Sequence, residues 1–201
     1  MLKIDIKKII EDLIETFLNA GKISLELRKK GLTTEMKRDN TPVTNGDLEV
    51  NKIISKKINE LTPDIQIISE ETSYNKNNSL KNFWLIDPID GTYDYINNRD
   101  EFTINAGLII NNKPEAGIIY APAKKRLFYS YHQSKSYEIS DNKKKILDCK
   151  KISKEGQIKA VSYSDELKPQ IKDWHKKFNV TEHIKMKSSL KFCVIASGEY
   201  D

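Results

Sequence analysis

The chain of 201 residues is long enough to bury a hydrophobic core, and a hydrophobic fraction of 38% excludes a disordered composition. Two cysteines exclude a disulfide framework, and no apolar run approaches the roughly 18 residues that a membrane helix needs. The net charge is +5, but only four of the 34 basic residues are arginine, which disfavours a nucleic-acid binder. The first residues alternate Ile with Lys and Asp and lack the apolar core of a signal peptide. We therefore expect a soluble, cytoplasmic protein with no integral membrane segment and no nucleic acid polymer as partner.

Two amphipathic helices are predicted in the first third of the chain. Apolar side chains recur with the helical period between residues 6 and 29. A polar loop over 37–45 follows, and a second helix is predicted over 47–60, with Thr44 or Asn45 as its N-cap. The chain therefore begins with a helical layer.

Beyond the second helix, the pattern changes to short apolar runs that are typical of buried strands. Five strands are predicted over residues 65–68, 83–86, 102–110, 116–120 and 127–131, with a turn at 111–114. A further strand is predicted over 158–162, and helices over 165–178 and 188–197. This order predicts a mixed α/β fold in which a mostly antiparallel sheet and helices pack in layers.

One segment carries two carboxylates at the end of a predicted strand. Residues 84 to 92 read Trp-Leu-Ile-Asp-Pro-Ile-Asp-Gly-Thr. Pro88 stops the strand and holds Asp87 extended, and a tight turn brings Asp90 back toward it. Gly91 lets a ligand approach the backbone, and Thr92 adds a hydroxyl. An ordinary β-turn has the same pattern, so this segment alone leaves both interpretations open.

A second acidic pair ends the preceding predicted strand, where Glu70 and Glu71 follow the apolar run. Neighbouring strands lie ~4.8 Å apart, so Glu70, Asp87 and Asp90 could share one ion or two. Clustered carboxylates repel one another unless cations neutralise them, and ligands that are all oxygen favour Mg²⁺ over zinc. Asp47 could be a fourth acid of this cluster, or only a charge that stabilises the start of a helix.

These residues and their order resemble the inositol monophosphatase family of lithium-sensitive, Mg²⁺-dependent phosphatases. The resemblance rests on Asp47, the pair Glu70-Glu71 and the string Asp-Pro-Ile-Asp-Gly-Thr at 87–92. Within the family, the runs 37–44, 101–105 and 188–193 are most similar to those of CysQ-type 3'(2'),5'-bisphosphate nucleotidases. The resemblance implies an αβαβα sugar-phosphatase fold and the hydrolysis of 3'-phosphoadenosine 5'-phosphate to AMP and phosphate by a metal-activated water. The alternatives are an inositol or sugar monophosphatase, or a catalytically impaired remnant of the family that still binds metal.

The resemblance also implies roles for individual residues. Metal binding is assigned to Glu70, Asp87, the Ile89 carbonyl and Asp90. Catalysis is assigned to Asp47, Glu70 and Thr92, of which Thr92 helps to orient and deprotonate the attacking water. Substrate binding is assigned to Glu70, Ile89, Asp90, Gly91, Thr92, Ser188 and Lys191. Two or three Mg²⁺ ions, inhibition by Li⁺ and a small phosphorylated substrate are expected.

The sequence departs from the family pattern at one further motif, Trp-Asp-x-Ala-Ala-Gly, which the family carries beyond the run 188–193. The sequence ends at Asp201, before this motif. We therefore expect incomplete C-terminal layers, a second metal site that lacks a ligand, and slow turnover or none by this chain alone. The division predicted is an N-terminal α+β metal-binding domain over 1–150 and the start of a C-terminal α/β domain over 151–201. A homodimer or a separate C-terminal fragment would be the partner.

Overall fold

Two long helices form the first layer of the fold. The structure is a computed structural model, and it describes residues 5–37, 39–72, 80–149 and 157–201. Helix α1 spans Ile6–Lys30 and α2 spans Asn45–Leu61. Between them lies a short antiparallel pair, β1 (Thr34–Met36) and β2 (Pro42–Thr44). None of the helices in these described ranges is long and apolar enough to cross a membrane.

A seven-stranded sheet lies at the centre of the molecule. Its strands, in spatial order, are β3 (Gln66–Ser69), β4 (Phe83–Asp90), β5 (Thr103–Ile110), β6 (Lys113–Ala121), β7 (Arg126–Tyr131), β8 (Tyr137–Ser140) and β9 (Lys143–Ile146). β3 pairs with β4 in parallel, and each later strand pairs antiparallel with the one before it. Because parallel strands run in the same direction, the residues that follow β3 lie beside the end of β4.

The remaining elements follow β4 or the sheet. They are α3 (Thr92–Ile96), β10 (Ile158–Ser162), α4 (Pro169–Lys177), β11 (Val180–Lys185) and α5 (Leu190–Ala196). β10 and β11 form a separate parallel pair, and α4 is the connection between them. α5 returns the chain to the central sheet, where it reaches the carboxylates at the end of β4.

The two faces of the central sheet are covered by different helices. Leu127 and Tyr129 belong to the large core that α1 and α2 form with the sheet, whereas Phe128 belongs to a smaller cluster with Leu190 and Val194 of α5. Since successive side chains of a strand point to opposite faces, α5 lies on the face opposite α1 and α2. Each fully buried Leu or Phe side chain stabilises this arrangement by about 1.5–3 kcal/mol.

The predicted mixed α/β layered fold is confirmed. The first two helices match their predicted ranges within two residues, and every predicted strand is present. The helix predicted over 165–178 begins only at Pro169, and the sequence pattern missed six elements: β1, β2, α3, β8, β9 and β11. The domain boundary predicted at residue 150 falls on residues 150–156, which lie outside the described ranges, so that division stays a prediction.

Replacing Gly21 by alanine tests the close approach of α1 to the sheet. A Cβ at this position would overlap the Tyr120 ring, 2.8 Å from its Cδ1, and lie 3.0 Å from the Pro122 Cβ. Alanine is favoured over glycine inside a helix by about 1 kcal/mol. The overlap should outweigh this preference, so that Gly21→Ala lowers the free energy of unfolding by about 1–3 kcal/mol in urea denaturation.

Gly107→Ala is the matched control, because a Cβ there meets only the Ala116 carbonyl oxygen at 3.9 Å. This variant should be as stable as the parent. A Gly21→Ala variant more stable than the parent would contradict the close packing of α1 on Tyr120.

Candidate metal centre

Glu70 lies beside Asp87 because β3 and β4 are parallel and end together. Ser69, the last residue of β3, pairs with Ile86, and the Glu70 N–H donates to the Ile86 carbonyl at 3.1 Å. Asp87 is the next residue of β4. The neighbouring strand ends predicted from the sequence are therefore confirmed.

The prediction that Pro88 ends the strand and starts a tight turn is wrong. β4 continues to Asp90, which pairs with Thr103 of β5, and its register is irregular between Asp87 and Asp90. Proline has no N–H for the ladder, and an irregular pairing of this kind accommodates it within a strand. A distortion within β4, and not a turn, therefore separates the two carboxylates.

Asp87 is the most strongly perturbed carboxyl of this group. Burial raises its pKa to about 8, and the negative charges of Glu70, Asp90 and Asp47 add to this effect. Its Oδ1 is buried and has no hydrogen-bond partner among the described residues. A buried polar atom without a partner costs free energy, so loss of the Asp87 proton is unfavourable in the folded chain unless a positive charge compensates it.

Glu70 and Glu71 share one lysine. The Lys37 Nζ lies 2.8 Å from a carboxylate oxygen of each. Burial disfavours the charged ammonium, but these two hydrogen bonds outweigh it and raise the Lys37 pKa to about 12. The Glu71 side chain is buried, whereas that of Glu70 is 48% exposed. No local pattern in the sequence relates Lys37 to Glu70, which lies 33 positions later, so only the fold reveals this contact.

Asp90 is held by the residue that precedes α5. Its Oδ2 accepts hydrogen bonds from the backbone N–H of Ser189 at 2.6 Å and from the Ser189 hydroxyl at 2.7 Å. Ser188 is buried next to this contact, and the Lys191 Nζ donates to the Ser188 carbonyl at 2.7 Å. The structure thus brings Ser188, which precedes α5, and Lys191 of α5 close to Asp90 through Ser189, for which no substrate or metal role was predicted.

Asp47 both caps α2 and faces the carboxylate cluster. Its Oδ2 accepts from the Thr44 N–H at 2.9 Å while the Thr44 hydroxyl caps the helix, so the prediction of Thr44 as N-cap is confirmed. The Thr92 hydroxyl lies 3.2 Å from the Asp47 Oδ1 and 3.0 Å from the Ile89 carbonyl. Burial raises the Asp47 pKa although these hydrogen bonds oppose the shift.

Gly91 lies where β4 passes into α3 and has a left-handed backbone with φ +96°. A Cβ there would lie 3.1 Å from the Glu101 carbonyl oxygen, tighter than ordinary van der Waals contact. Glycine is therefore required by the backbone itself. The turn places Thr92 at the first position of α3, with its hydroxyl between Asp47 and Ile89.

These groups fit a hard divalent cation. As the side chains stand in the described ranges, no group of three or more His, Cys, Asp or Glu residues lies close enough together to hold a metal ion. The oxygens of Glu70, Asp87 and Asp90 and the Ile89 carbonyl are nevertheless the ligand type that Mg²⁺ prefers. A cation here would satisfy the Asp87 Oδ1 and offset the repulsion that raises the Asp87 pKa.

A cavity of about 660 Å³ opens beside the carboxylates. Glu70, Asp87, Asn105 and Ser189 line one part of it, and apolar residues of the central sheet such as Ile119 line the rest. Ligand sites of small molecules have this size and this mixture of an apolar surface with a few polar groups.

Known proteins match both the sequence and the fold. The model of the inositol monophosphatase family matches residues 5–201. The 3'(2'),5'-bisphosphate nucleotidase CysQ of Buchnera aphidicola subsp. Acyrthosiphon pisum is 33% identical over 196 residues, which cover 96% of this chain and 73% of the relative. The crystal structure of CysQ from Bacteroides thetaiotaomicron has a TM-score of 0.75 at 25% identity, and covers 98% of this chain and 79% of that one. An IMPase/NADP phosphatase complexed with Mg²⁺ and phosphate has a TM-score of 0.75 at 19% identity, over 95% and 72% of the two chains.

Without divalent cations, we expect the stability of the chain to fall as the pH rises from about 4 to about 8. The Asp87 carboxyl loses its proton near pH 3.8 in the unfolded chain but only near pH 8 in the folded one. The folded state therefore binds more protons in this window, and raising the pH favours unfolding. Asp87→Asn should flatten this dependence in urea denaturation with EDTA, and should be more stable than the parent at pH 8.

Asp64→Asn is the matched control, since it removes an exposed carboxylate that precedes β3, at the end of the strand opposite Glu70. Its pH dependence should follow that of the parent. A parent chain whose stability rises from pH 5 to pH 8 in EDTA would contradict the raised pKa of Asp87.

Proposed function

Because the chain belongs to the inositol monophosphatase family of Mg-dependent phosphatases, we propose that its acidic site hydrolyses the 3'-phosphate of 3'-phosphoadenosine 5'-phosphate to give AMP and phosphate. The observation that carries the proposal is the buried Asp87 Oδ1, which has no hydrogen-bond partner among the described residues and lies in a carboxyl whose pKa is raised by burial and by the charges of Glu70 and Asp90. The CysQ relatives support the nucleotidase assignment. An inositol or sugar monophosphatase is the second candidate, supported by the equal TM-score of the IMPase/NADP phosphatase.

In this proposal, Glu70, Asp87, Asp90 and the Ile89 carbonyl hold Mg²⁺. When bound, Mg²⁺ supplies positive charge that stabilises the phosphoryl group and makes water more acidic. Two or three ions, and inhibition by Li⁺, belong to the proposal and are supported by the family resemblance. The carboxylates themselves repel a phosphate group, so substrate binding at this site should depend strictly on the cation.

Thr92 and Asp47 are suited to move a proton. The Thr92 hydroxyl can pass its proton to the Asp47 Oδ1, 3.2 Å away, while its oxygen accepts a proton from the attacking water. Burial raises the pKa of Asp47 and so makes it a stronger base than an exposed carboxylate. The Ile89 carbonyl, 3.0 Å from the same hydroxyl, fixes the Thr92 side chain in this position.

The substrate would lie between the end of β4 and the start of α5. The Gly91 and Thr92 backbone N–H groups begin α3 and are available to phosphate oxygens. Ser189 donates to Asp90, and its neighbour Ser188 accepts from Lys191, so both Ser188 and Lys191 lie near Asp90. In this position they would contact the nucleoside part of the substrate. Lys191 supplies the positive charge that a second phosphate group requires.

We also propose the division into a metal-binding domain over 1–150 and the start of a second domain over 151–201. The separate β10–β11 pair supports it. Four aromatic side chains in the last third of the chain are more than half exposed: Tyr163, Trp174, Phe178 and Phe192. This apolar surface supports association with a second copy or with a separate C-terminal fragment, in the cytoplasm.

Phosphate release from 3'-phosphoadenosine 5'-phosphate and from inositol 1-phosphate tests the proposal. We expect slow turnover by this chain alone, with faster release from the nucleotide, no release without Mg²⁺, and inhibition by Li⁺. Asp87→Asn should lower the rate by roughly 10²–10³, because charge stabilisation in the transition state is lost. The control Asp64→Asn should match the parent.

Equal rates on the two substrates would contradict the nucleotidase assignment. Faster release from inositol 1-phosphate would favour the second candidate. No release from either, together with Mg²⁺ binding, would favour the impaired remnant of the family.

A further inference from the structure

The Asp90 carboxylate is held at one oxygen by a residue that lies 99 positions later in the chain. Both the N–H and the hydroxyl of Ser189 donate to the Asp90 Oδ2, at 2.6 and 2.7 Å. The Thr103 hydroxyl lies 3.5 Å from the same oxygen. All of these donors contact the Oδ2 and none contacts the Oδ1. The Oδ2 therefore orients the carboxylate, and the Oδ1 is available to a ligand.

Asn105 determines where the Ser189 proton points. Its Nδ2 donates to the Ser189 oxygen at 3.2 Å, so the hydroxyl acts as acceptor toward Asn105 and as donor toward Asp90. Asn105 lies on β5 directly opposite Asp87. Three residues from β4, β5 and the start of α5 thus form one directed chain of hydrogen bonds, from Asn105 through Ser189 to Asp90.

The position of Ser189 in its helix argues against a purely local role. Serine before a helix normally caps it by accepting a hydrogen bond from a backbone N–H of the first turn. Ser189 is the N-cap of α5, yet its side chain makes no such bond and is directed to Asp90 instead. The preceding Ser188 has a left-handed backbone, φ +53°, which is unfavourable for serine. The Ser188 hydroxyl accepts from the Leu190 N–H at 3.3 Å in place of a Ser189 cap, so the Ser189 hydroxyl is left for Asp90 at the cost of a strained neighbour, as expected where a functional site is held in place.

We propose that Ser189 is a positioning residue for the phosphatase site: it fixes the Asp90 carboxylate so that the Oδ1 faces the cation, and Asn105 keeps the serine proton directed at Asp90. This inference rests on the proposed metal site. Groups that orient metal ligands by hydrogen bonding commonly contribute 10–100-fold to metal affinity.

Titration of the 201-residue chain with Mn²⁺ tests the positioning role of Ser189 without relying on turnover. The free ion is measured by electron paramagnetic resonance. Ser189→Ala keeps the backbone donor and removes the hydroxyl, and should weaken Mn²⁺ binding by roughly 10-fold. Ser189→Thr keeps the hydroxyl and should restore binding to within about 3-fold of the parent. Ser197→Ala is the matched control, because it removes a serine hydroxyl at the other end of α5 that bonds Val194 and Glu199.

Asn105→Ala provides the second arm. It should weaken binding less than Ser189→Ala, and the double variant should bind like Ser189→Ala alone, since both residues act along one chain of hydrogen bonds. In activity assays, the Mg²⁺ concentration at half-maximal rate should rise with Ser189→Ala, while the rate at saturating Mg²⁺ changes little.

The outcomes separate this inference from the proposed function. If the parent does not bind Mn²⁺, or if Asp87→Asn binds it as well as the parent does, both the proposed function and the positioning role are wrong. If the parent binds Mn²⁺ and Ser189→Ala binds it equally well, only the positioning role is wrong. A lower melting temperature of Ser189→Ala with unchanged Mn²⁺ binding would likewise overturn positioning in favour of a structural role.

Discussion

Four acidic side chains are crowded where β3 and β4 end, and the elements packed around them have to compensate their mutual repulsion. Two like charges 4 Å apart repel by about 4 kcal/mol at an effective dielectric constant of 20. Asp87 lies among Glu70, Asp90 and Asp47, and its buried Oδ1 has no partner in the described part of the chain. Donors from the surrounding elements hold Glu70, Asp90 and Asp47, and a cation would satisfy the Asp87 Oδ1 that they leave without a partner.

The donors come from elements far apart in the sequence. Lys37, which follows β1, donates to Glu70 and Glu71. Asp47 accepts hydrogen bonds from Thr44 and Thr92, and Asp90 accepts one from Ser189. The central sheet makes this possible because its parallel β3–β4 pair aligns two acidic strand ends, while helices approach from both faces. Site geometry and tertiary packing are therefore linked. A substitution that weakens the packing of α5 should displace the Asp90 carboxylate before it disturbs the large core between the sheet and the first two helices.

The sequence predicts what is local, and it fails where contacts are distant or strands are exposed. The helical period of α1 and the apolar runs of β4 and β5 follow from side chains that alternate between core and solvent. β9 was missed because all four of its residues are exposed, so no apolar pattern marks it. The carboxylates could be named because they lie within one short motif and one strand end, whereas Lys37 and Ser189 are related to them only through the fold. The spacing of Thr44 and Asp47 was the available signal for the capping box.

Anomalous diffraction from crystals grown with Mn²⁺ would show whether a cation binds at the end of β4, since Mn²⁺ has the same preference for oxygen ligands as Mg²⁺. We expect an anomalous peak bounded by Glu70, Asp87, Asp90 and the Ile89 carbonyl. We also expect that Asp90 keeps its contact with Ser189 while Glu70 turns from Lys37 toward the ion. Crystals of the ordered chain with no peak at the end of β4, at millimolar Mn²⁺, would contradict the account.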